Sequence, residues 1–402
     1  MDLISSLIKT NNTKIIVLVI DGIGGLAHPS TGQTALEYAS TPNLDILTSE
    51  GTTGQILPID YGITPGSGPA HLSLFGYDAI TSQIGRGILE AYGVGMNVSG
   101  SDVAVRGNFC TTDQDRNIVD RRAGRISNKI AQPLVELLKE IDIEGVDIEL
   151  RHVNQHRFAA VFKGNELSDA VYDTDPQVIN EKPLLPKPKN LEANRTVEIL
   201  NHWIDSAEEI LGDRKDANMV ILRGFSHNPG LRSFIDKYGL NATCIAAYPM
   251  YKGIARLVGM EIVENVGKEV YEQFKLAKNV LDDGQSDYLY IHVKETDSCG
   301  EDGDYSGKVK IIEEIDKNIK ILVEANPSVI VVTGDHSTPS IMSAHSWHPV
   351  PLLIWAPETV RRDSNNMFGE ESCATGGIGT IKAKYLMNLI LAHSQRLKKF
   401  GA

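Results

Sequence analysis

The stretch IIVLVIDGIGG (15–25) opens with six consecutive isoleucine, valine or leucine residues and continues at once into Asp21 and a glycine-rich turn. A short apolar run that ends at an aspartate and a glycine is typical of a buried strand in a parallel sheet. Later runs of the same kind are YLYIHV (288–293), SVIVVTG (328–334) and VPLLIW (350–355). The sequence therefore predicts an α/β fold with a mostly parallel sheet.

Acidic residues and histidines lie beside the ends of these four runs. In open parallel sheets the ligand crevice lies at the carboxyl ends of the strands, so side chains from distant parts of the chain can meet there. Carboxylate oxygens and imidazole nitrogens together suit Mn²⁺ or Zn²⁺. The sequence therefore predicts a metal-dependent enzyme with a binuclear site, whose candidate ligands are Asp21, Glu295, Asp297, Asp335, His336, His345 and His348.

Asp21 and the residues after it allow two other interpretations. An aspartate before Gly22 is common in turns, and Gly22, Gly24 and Ala27 also fit the dinucleotide-binding pattern G-x-G-x-x-[GA]. In that pattern the strand leads directly into the glycine and the helix N-terminus that binds pyrophosphate. Here a carboxylate intervenes and Pro29 follows closely, so we favour the metal site.

The middle of the chain differs in composition from its two ends. It is rich in arginine, as in RRAGR (121–125), and it contains the proline-rich segment EKPLLPKPKN (181–190). We predict one α/β domain made of residues 1–79 and 238–402, with a smaller domain of residues 80–237 inserted into it. Two consecutive domains are the alternative. We prefer the insertion because the ligand types on either side of the middle segment make chemical sense only together.

Composition and charge exclude several classes of protein. The 402 residues carry a formal net charge of −13, which argues against unspecific binding to nucleic acid or to anionic membranes. The four cysteines include no CxxC pair, so a disulfide scaffold and a zinc finger are both excluded. There is no secretory signal and no apolar run of about 20 residues, so we expect a cytoplasmic protein.

Ser67 lies between two glycines in the loop PGSGPAH (65–71), just before a helix-like stretch. A serine at such a turn exposes its hydroxyl beside backbone N–H groups that favour phosphate. Taken alone, Ser67 is better explained as a helix N-cap. A hydroxyl that coordinates a divalent metal is activated as a nucleophile, so the candidate ligands elsewhere make Ser67 the leading nucleophile.

Arginines of the middle segment indicate an anion-binding site. The segments VRGNF, DRRAGR and LRGFS contain Arg106, Arg121 and Arg223, which lie near glycines in short loops rather than on helical faces. Arginine is suited to bidentate recognition of carboxylate and phosphate. A solvated charged surface is the alternative interpretation of the same residues.

The order of these motifs along the chain resembles a known family. VIDGIGG, TPNLD, GSGPAHLSLFGYD, VRGNF, DRRAGR, YPMYKGIARLVGM, TD, TGDHS and HSWHPVPLLIW follow one another as in the cofactor-independent phosphoglycerate mutases of archaeal type, members of the alkaline phosphatase superfamily. The resemblance implies an alkaline-phosphatase-like, doubly wound domain with an inserted substrate domain. It also implies interconversion of 3-phosphoglycerate and 2-phosphoglycerate without 2,3-bisphosphoglycerate. The alternative is a metal-dependent phosphatase, or a kinase-like relative, that acts on another phosphorylated metabolite.

The resemblance also implies roles for individual residues. Ser67 would take the phosphoryl group, and the glycerate would reorient and receive it on its other hydroxyl. Two divalent ions, typically manganese, would be held by two sets of ligands: Asp21, Ser67, Asp335 and His336; and Asp297, His345 and the residue at 301. Asp120 would be the general acid and base for the glycerate hydroxyls. The substrate's phosphate and carboxylate would be bound by Arg106, Arg121, Arg223 and Lys252.

One position departs from the family pattern. The pattern T-D-x-x-G-H appears here as TDSCGE (296–301), so that Glu301 stands in the place of a histidine ligand. Glutamate still ligates manganese, but its charge lowers the net charge of the site and favours Mn²⁺ or Mg²⁺ over Zn²⁺. The alternatives are that His348 compensates, or that the second ion is weakly bound or absent.

Overall fold

The computed structural model describes residues 3–82 and 84–401. The chain forms two compact units. The larger unit comprises residues 1–83 and 232–402, and the smaller unit, residues 84–231, is inserted between these two segments. The divisions thus fall after residues 83 and 231, whereas the boundaries predicted from the sequence fall after residues 79 and 237.

The first segment of the larger unit alternates helices and strands. Its elements are α1 (Leu3–Leu7), β1 (Ile15–Ile20), α2 (Ala35–Tyr38), α3 (Pro42–Glu50), β2 (Thr52–Leu57) and α4 (Ser67–Leu74). Strand β1 is the first apolar run of the sequence, and all six of its residues are buried. Helix α3 begins at Pro42, which suits a first helical turn because the N–H that proline lacks has no partner there.

The inserted unit is built on an antiparallel sheet. Its elements are α5 (Arg86–Gly93), β3 (Val103–Thr112), β4 (Ile118–Asp120), α6 (Asn128–Leu138), β5 (Asp147–Asn154), β6 (Arg157–Lys163), α7 (Asn194–Leu211) and β7 (Met219–Ser226). The strands run in the order β4-β3-β6-β5, and β7 also pairs with β3. Buried aromatic side chains of this sheet and of α7 meet in the core, with Phe158 against Phe109 and Trp203. The inserted unit therefore has its own hydrophobic core.

The second segment of the larger unit supplies most of its strands. Its elements are α8 (Phe234–Tyr238), β8 (Ala242–Ala246), α9 (Pro249–Leu257), β9 (Glu261–Ile262), α10 (Val270–Asp282), β10 (Tyr288–Val293), α11 (Glu295–Glu301), α12 (Tyr305–Glu324), β11 (Val329–Thr333), β12 (Val350–Trp355), α13 (Glu370–Ala374), β13 (Gly379–Lys382) and α14 (Leu386–His393). Helix α12 buries Ile312, Ile315 and Ile319. This spacing of three and four residues forms one apolar helical face.

Strands of both segments form one sheet in the order β13-β2-β12-β11-β1-β10-β8-β9. Every pairing is parallel except the two made by β12, which runs antiparallel to β11 and β2. Our prediction of a parallel strand at VPLLIW is therefore wrong. Residues 334–349, which connect β11 to β12, contain no helix, whereas a parallel neighbour usually needs a helical crossover. The predicted α/β class with a mostly parallel sheet is confirmed.

The carboxyl ends of three central strands lie at one edge of this sheet. Ile20, the last residue of β1, pairs with Val293 at the end of β10, and Val19 pairs with Thr333 at the end of β11. The residues that follow these strands are therefore brought together at that edge. Within the described residues, no helix is both long and apolar enough to cross a membrane.

Candidate metal centre

Asp21 follows β1 directly, and its side chain is fully buried. One carboxylate oxygen, Oδ2, accepts a hydrogen bond from the Tyr251 hydroxyl, and the other, Oδ1, accepts none from the described parts of the chain. The next residue, Gly22, has a φ of +63°, and a Cβ there would lie 2.5 Å from Thr338 Oγ1. Glycine is therefore required for the chain to turn here while the neighbouring loop stays close.

Asp335 and His336 follow β11 after Gly334 and are also fully buried. Asp335 Oδ1 accepts the Gly22 N–H at 3.2 Å, while Oδ2 accepts no hydrogen bond from any described residue. His336 Nε2 lies 3.1 Å from Asp335 Oδ2 and 3.3 Å from Asp21 Oδ1. The ends of two neighbouring strands thus place the carboxylates of Asp21 and Asp335 next to the imidazole of His336.

Two compact groups of potential metal ligands occur among the described residues. Asp21, Asp335 and His336 form the first, and Asp297, His336 and His345 form the second, with the ligand atoms of each group within 4.8 Å of one another. Asp297 lies in α11 just after β10, and its Oδ1 is 3.5 Å from His345 Nε2. His345 is held by a 3.0 Å contact between Nδ1 and the carbonyl oxygen of Pro65.

Ser67 is the first residue of α4, and its hydroxyl lies 3.2 Å from His336 Nε2. The N-cap of this helix is Gly66, which has extended backbone angles, and no described side chain caps the helix. The explanation of Ser67 as an N-cap is therefore wrong. The structure instead directs the hydroxyl towards His336, the residue that the two ligand groups share.

The charges of this centre are strongly coupled. Burial opposes ionisation of Asp335, yet the charges of His336 and His71 outweigh burial and hold the pKa of this carboxyl far below its usual range. Burial likewise opposes protonation of His336, but the charge of Asp335 prevails and raises the pKa of His336 to about 9. Buried carboxylate oxygens that accept no hydrogen bond from the described residues, beside imidazole nitrogens, form a donor set that fits a divalent cation.

Sequence reasoning missed three residues that surround these ligands. His71 is four residues beyond Ser67; its Nδ1 donates to the Ser67 carbonyl oxygen at 2.8 Å and lies 3.4 Å from Asp335 Oδ2. His292 Nε2 lies 3.2 Å from Asp21 Oδ2, and Lys294 pairs with both Asp21 and Asp297. A histidine inside the apolar run of β10, followed by a lysine before the acidic stretch, was the available signal.

Three other predicted ligands lie outside the two compact groups. Glu301 ends α11 with an exposed side chain, and its Oε1 is 3.7 Å from His345 Nε2. His348 contacts the Ser346 hydroxyl at 3.0 Å and stacks on Trp347. Glu295 is the first residue of α11 and is partly exposed. Of these side chains, only that of Glu301 is placed beside a ligand.

The predicted catalytic and substrate-binding residues of the inserted unit contact neighbouring side chains or backbone. Arg121 makes two hydrogen bonds to the buried carboxylate of Asp175, through Nε at 2.9 Å and Nη2 at 2.6 Å. Arg223 Nη1 is 3.4 Å from the same carboxylate. The carboxylate of Asp120 accepts the N–H groups of Arg122 and Gly124, each at 2.7 Å. These contacts fix the side chains on the surface of this unit.

Positive charge in the inserted unit is concentrated around Arg106. It pairs across the sheet with Arg223, and its Nη1 lies 3.8 Å from Glu90. Burial, together with the charges of Arg157, Arg86 and Arg223, lowers the pKa of Arg106 to about 10, and Glu90 opposes this only in part. Arg106, Arg157 and Arg86 share the carboxylate of Glu90, so positive charge is in excess around it.

Lys252, the remaining predicted substrate residue, belongs to the larger unit. It lies in α9, is largely buried, and its Nζ is 3.4 Å from Glu264 Oε2.

Comparisons with known proteins agree with one another. A family model described as 2,3-bisphosphoglycerate-independent phosphoglycerate mutase matches residues 48–216. A protein of Aquifex aeolicus named as a probable member of that family is 47% identical over all of both chains. A relative with the same name from Thermotoga neapolitana is 48% identical and covers 99% of this chain and 98% of its own.

Two solved structures match nearly the whole chain. The PH0037 protein from Pyrococcus horikoshii has a TM-score of 0.82 and 28% identity, and the match covers 97% of this chain and 99% of that one. The cofactor-independent phosphoglycerate mutase from Thermoplasma acidophilum has a TM-score of 0.75 and 29% identity, over 95% of this chain and all of the other. The motif order, the fold and the whole-length identity agree, and the chain belongs to the family of 2,3-bisphosphoglycerate-independent phosphoglycerate mutases.

Proposed function

We propose that this enzyme interconverts 3-phosphoglycerate and 2-phosphoglycerate through a phosphoserine at Ser67. The observation that carries the proposal is the position of the Ser67 hydroxyl, which lies at the start of α4, 3.2 Å from the histidine shared by two carboxylate–histidine groups. A helix N-terminus offers free N–H groups to the phosphoryl oxygens. Family membership supports the choice of substrate, because the relatives named above are phosphoglycerate mutases.

The proposed reaction has two mirrored halves. Ser67 Oγ loses its proton to solvent and bonds to phosphorus as the bond between phosphorus and the substrate's ester oxygen breaks, and the departing glycerate oxygen takes a proton. The bound glycerate then presents its other hydroxyl, which loses a proton and bonds to phosphorus as the bond between Ser67 Oγ and phosphorus breaks, and Ser67 takes a proton back from solvent. We assign the donor and acceptor of the glycerate protons in both halves to Asp120, whose carboxylate is held by two backbone N–H groups. The inserted unit's Arg106, Arg121 and Arg223, together with Lys252, would bind the anionic groups of the substrate.

The ligand groups described above would hold two divalent ions, for which we propose Mn²⁺. Asp21, Ser67, Asp335 and His336 would bind one, and Asp297, Glu301 and His345 the other. When bound, such ions stabilise the charge that develops during phosphoryl transfer and lower the pKa of a coordinated hydroxyl. A glutamate at position 301 adds a hard oxygen donor in place of an imidazole, which supports Mn²⁺ or Mg²⁺ over Zn²⁺.

The test is conversion of 3-phosphoglycerate by metal-stripped protein, with Mn²⁺ added back and 2,3-bisphosphoglycerate absent, followed by phosphorus NMR. We expect Mn²⁺-dependent formation of 2-phosphoglycerate with little inorganic phosphate. Ser67→Ala should lose at least about 1000-fold in rate, because the nucleophile itself is removed. Ser49→Ala, at an exposed serine of α3, is the matched control and should retain full activity.

Other outcomes would overturn the proposal in different ways. Release of phosphate without isomerisation would identify a phosphatase. Substantial turnover by Ser67→Ala would mean that another group accepts the phosphoryl.

A further inference from the structure

Lys308 is a charged side chain that the proposed reaction leaves unused. It lies on α12, the exposed area of the residue is zero, and its Nζ donates to the carbonyl oxygens of Gly22 at 2.7 Å, Gly24 at 3.1 Å and Thr338 at 2.9 Å. An ammonium group has three protons, so all of them are used on backbone carbonyls. Burial of a charge is costly unless its hydrogen bonds are satisfied, and here the satisfying groups come from two separate loops.

Both of these loops carry proposed metal ligands. Gly22 and Gly24 follow Asp21, and Thr338 is two residues beyond His336. The loops are also joined directly, since the Thr338 N–H donates to the carbonyl of Gly24 at 3.0 Å. Lys308 therefore lies where the loop after β1 meets the loop after β11.

Thr338 connects this junction to the proposed metal ligands. Its hydroxyl donates to Asp297 Oδ1 at 2.6 Å and lies 2.9 Å from His336 Nδ1. Gly300 of α11 approaches so closely that a Cβ there would lie 2.4 Å from the Thr338 carbonyl oxygen. A shift of Thr338 would therefore disturb two contacts. One is to Asp297, which belongs to the second group, and the other is to His336, which both groups share.

A carboxylate fixes the far end of the first loop. Glu370 Oε1 accepts the Gly25 N–H at 2.8 Å, and Oε2 accepts the Thr34 hydroxyl at 2.7 Å. Burial lowers the pKa of Lys308 to about 8, and the charge of Glu370 acts against that shift. The two opposite charges therefore stabilise each other while each holds part of the segment 22–25.

We propose that Lys308 is a positioning residue that holds the two ligand-bearing loops together, so that Asp21, Asp297 and His336 are arranged for metal before it binds. The inference rests on the metal assignment made under the proposed function. A lysine with a merely structural role would contribute to the stability of the fold without setting the affinity for metal.

The test compares Lys308→Met with Lys310→Met, which removes an exposed lysine two residues further along the same helix. Calorimetric titration of metal-stripped protein with Mn²⁺ should give a Kd about 10-fold higher for Lys308→Met, as is typical when groups behind metal ligands are removed. The Mn²⁺ concentration for half-maximal rate should rise by the same factor. The KM for 3-phosphoglycerate at saturating Mn²⁺ should stay unchanged, and Lys310→Met should match the wild type throughout.

A folded Lys308→Met protein with a lower Tm and an unchanged Kd for Mn²⁺ would overturn the inference. If Lys308→Met does not fold, as judged by circular dichroism, Lys308→Gln is titrated in its place. If neither variant folds, the role of Lys308 is to stabilise the fold, and this result would also overturn the inference. Wild-type protein that binds no Mn²⁺ would refute the metal assignment itself, whereas normal wild-type binding and turnover with an unaffected variant would refute only the role of Lys308.

Discussion

Replacement of Gly22 by alanine tests how tightly the two loops that carry the candidate ligands are held. Two costs act at this position. The φ of +63° is in the left-handed region, where an L-residue costs about 1–2 kcal/mol. The added Cβ would also lie 2.5 Å from Thr338 Oγ1 and 2.9 Å from Asp297 Oδ1. Neither atom is free to retreat, because the Thr338 hydroxyl is hydrogen-bonded to Asp297.

Relief of these contacts needs a displacement of the loop, and such overpacking typically costs about 1–3 kcal/mol. Gly22→Ala should therefore destabilise the larger unit by about 2–5 kcal/mol in total. Gly32 provides the matched control, since its φ is +72° and a Cβ added there would meet no described atom within 4 Å. Gly32→Ala should carry only the backbone cost of about 1–2 kcal/mol.

The assay is urea denaturation of both metal-free variants and the wild type, with the free energy of unfolding compared for the transition of the larger unit. The difference between the two variants isolates the steric cost, because the backbone cost is common to both. Equal destabilisation by Gly22→Ala and Gly32→Ala would refute the reasoning. It would mean that Thr338 moves aside freely and that the two loops are not held in register.

Two further predictions concern charge. Arg121→Met should destabilise the inserted unit by about 2 kcal/mol at neutral pH by removing charged hydrogen bonds to Asp175. Burial opposes ionisation of Asp175, but Arg121 lowers the pKa of this carboxyl below its usual value. The pair therefore stabilises the fold fully at a pH above the pKa that Asp175 has in the unfolded chain. This stabilisation is lost as the pH falls through the pKa that Asp175 has in the folded chain. The difference from wild type in urea denaturation should therefore stay constant from pH 7 to about pH 4 and shrink below about pH 4; a difference that persists unchanged below that pH would rule out this ion pair as the cause. Glu301→His should raise the affinity for Zn²⁺ relative to Mn²⁺ about 10-fold in competitive titrations, and an unchanged ratio would mean that position 301 is not a ligand.

The central strands could be predicted because their sequences are almost entirely apolar. β1 is an uninterrupted apolar run, β10 is apolar except for His292, β11 is apolar up to Thr333, and all residues of the three strands are buried. The direction of β12 could not be predicted, because strand direction depends on the connection and not on the residues of the strand. The same apolar pattern fits either direction.

The candidate site was predictable only in part. Asp21, Asp335 and His336 were recognisable because they lie within three residues of a strand's end, and parallel strands end at one edge. Lys308 and His71 lie inside helical patterns, where a lone polar residue gives no sign of its neighbours. The pairing of Arg121 with Asp175 spans 54 residues, and such distant partners follow only from the tertiary structure.

The antiparallel direction of β12 decides which parts of the chain can supply ligands. β11 ends at the ligand edge, and because β12 runs the opposite way it begins at that same edge. The connecting segment, residues 334–349, therefore starts and ends at this edge of the sheet and contributes the candidate ligands His336 and His345. A parallel β12 would begin at the opposite edge and carry His345 away with it. Deletions within this single segment should thus damage both ligand groups together, whereas insertions at the other edge of the sheet should leave both intact.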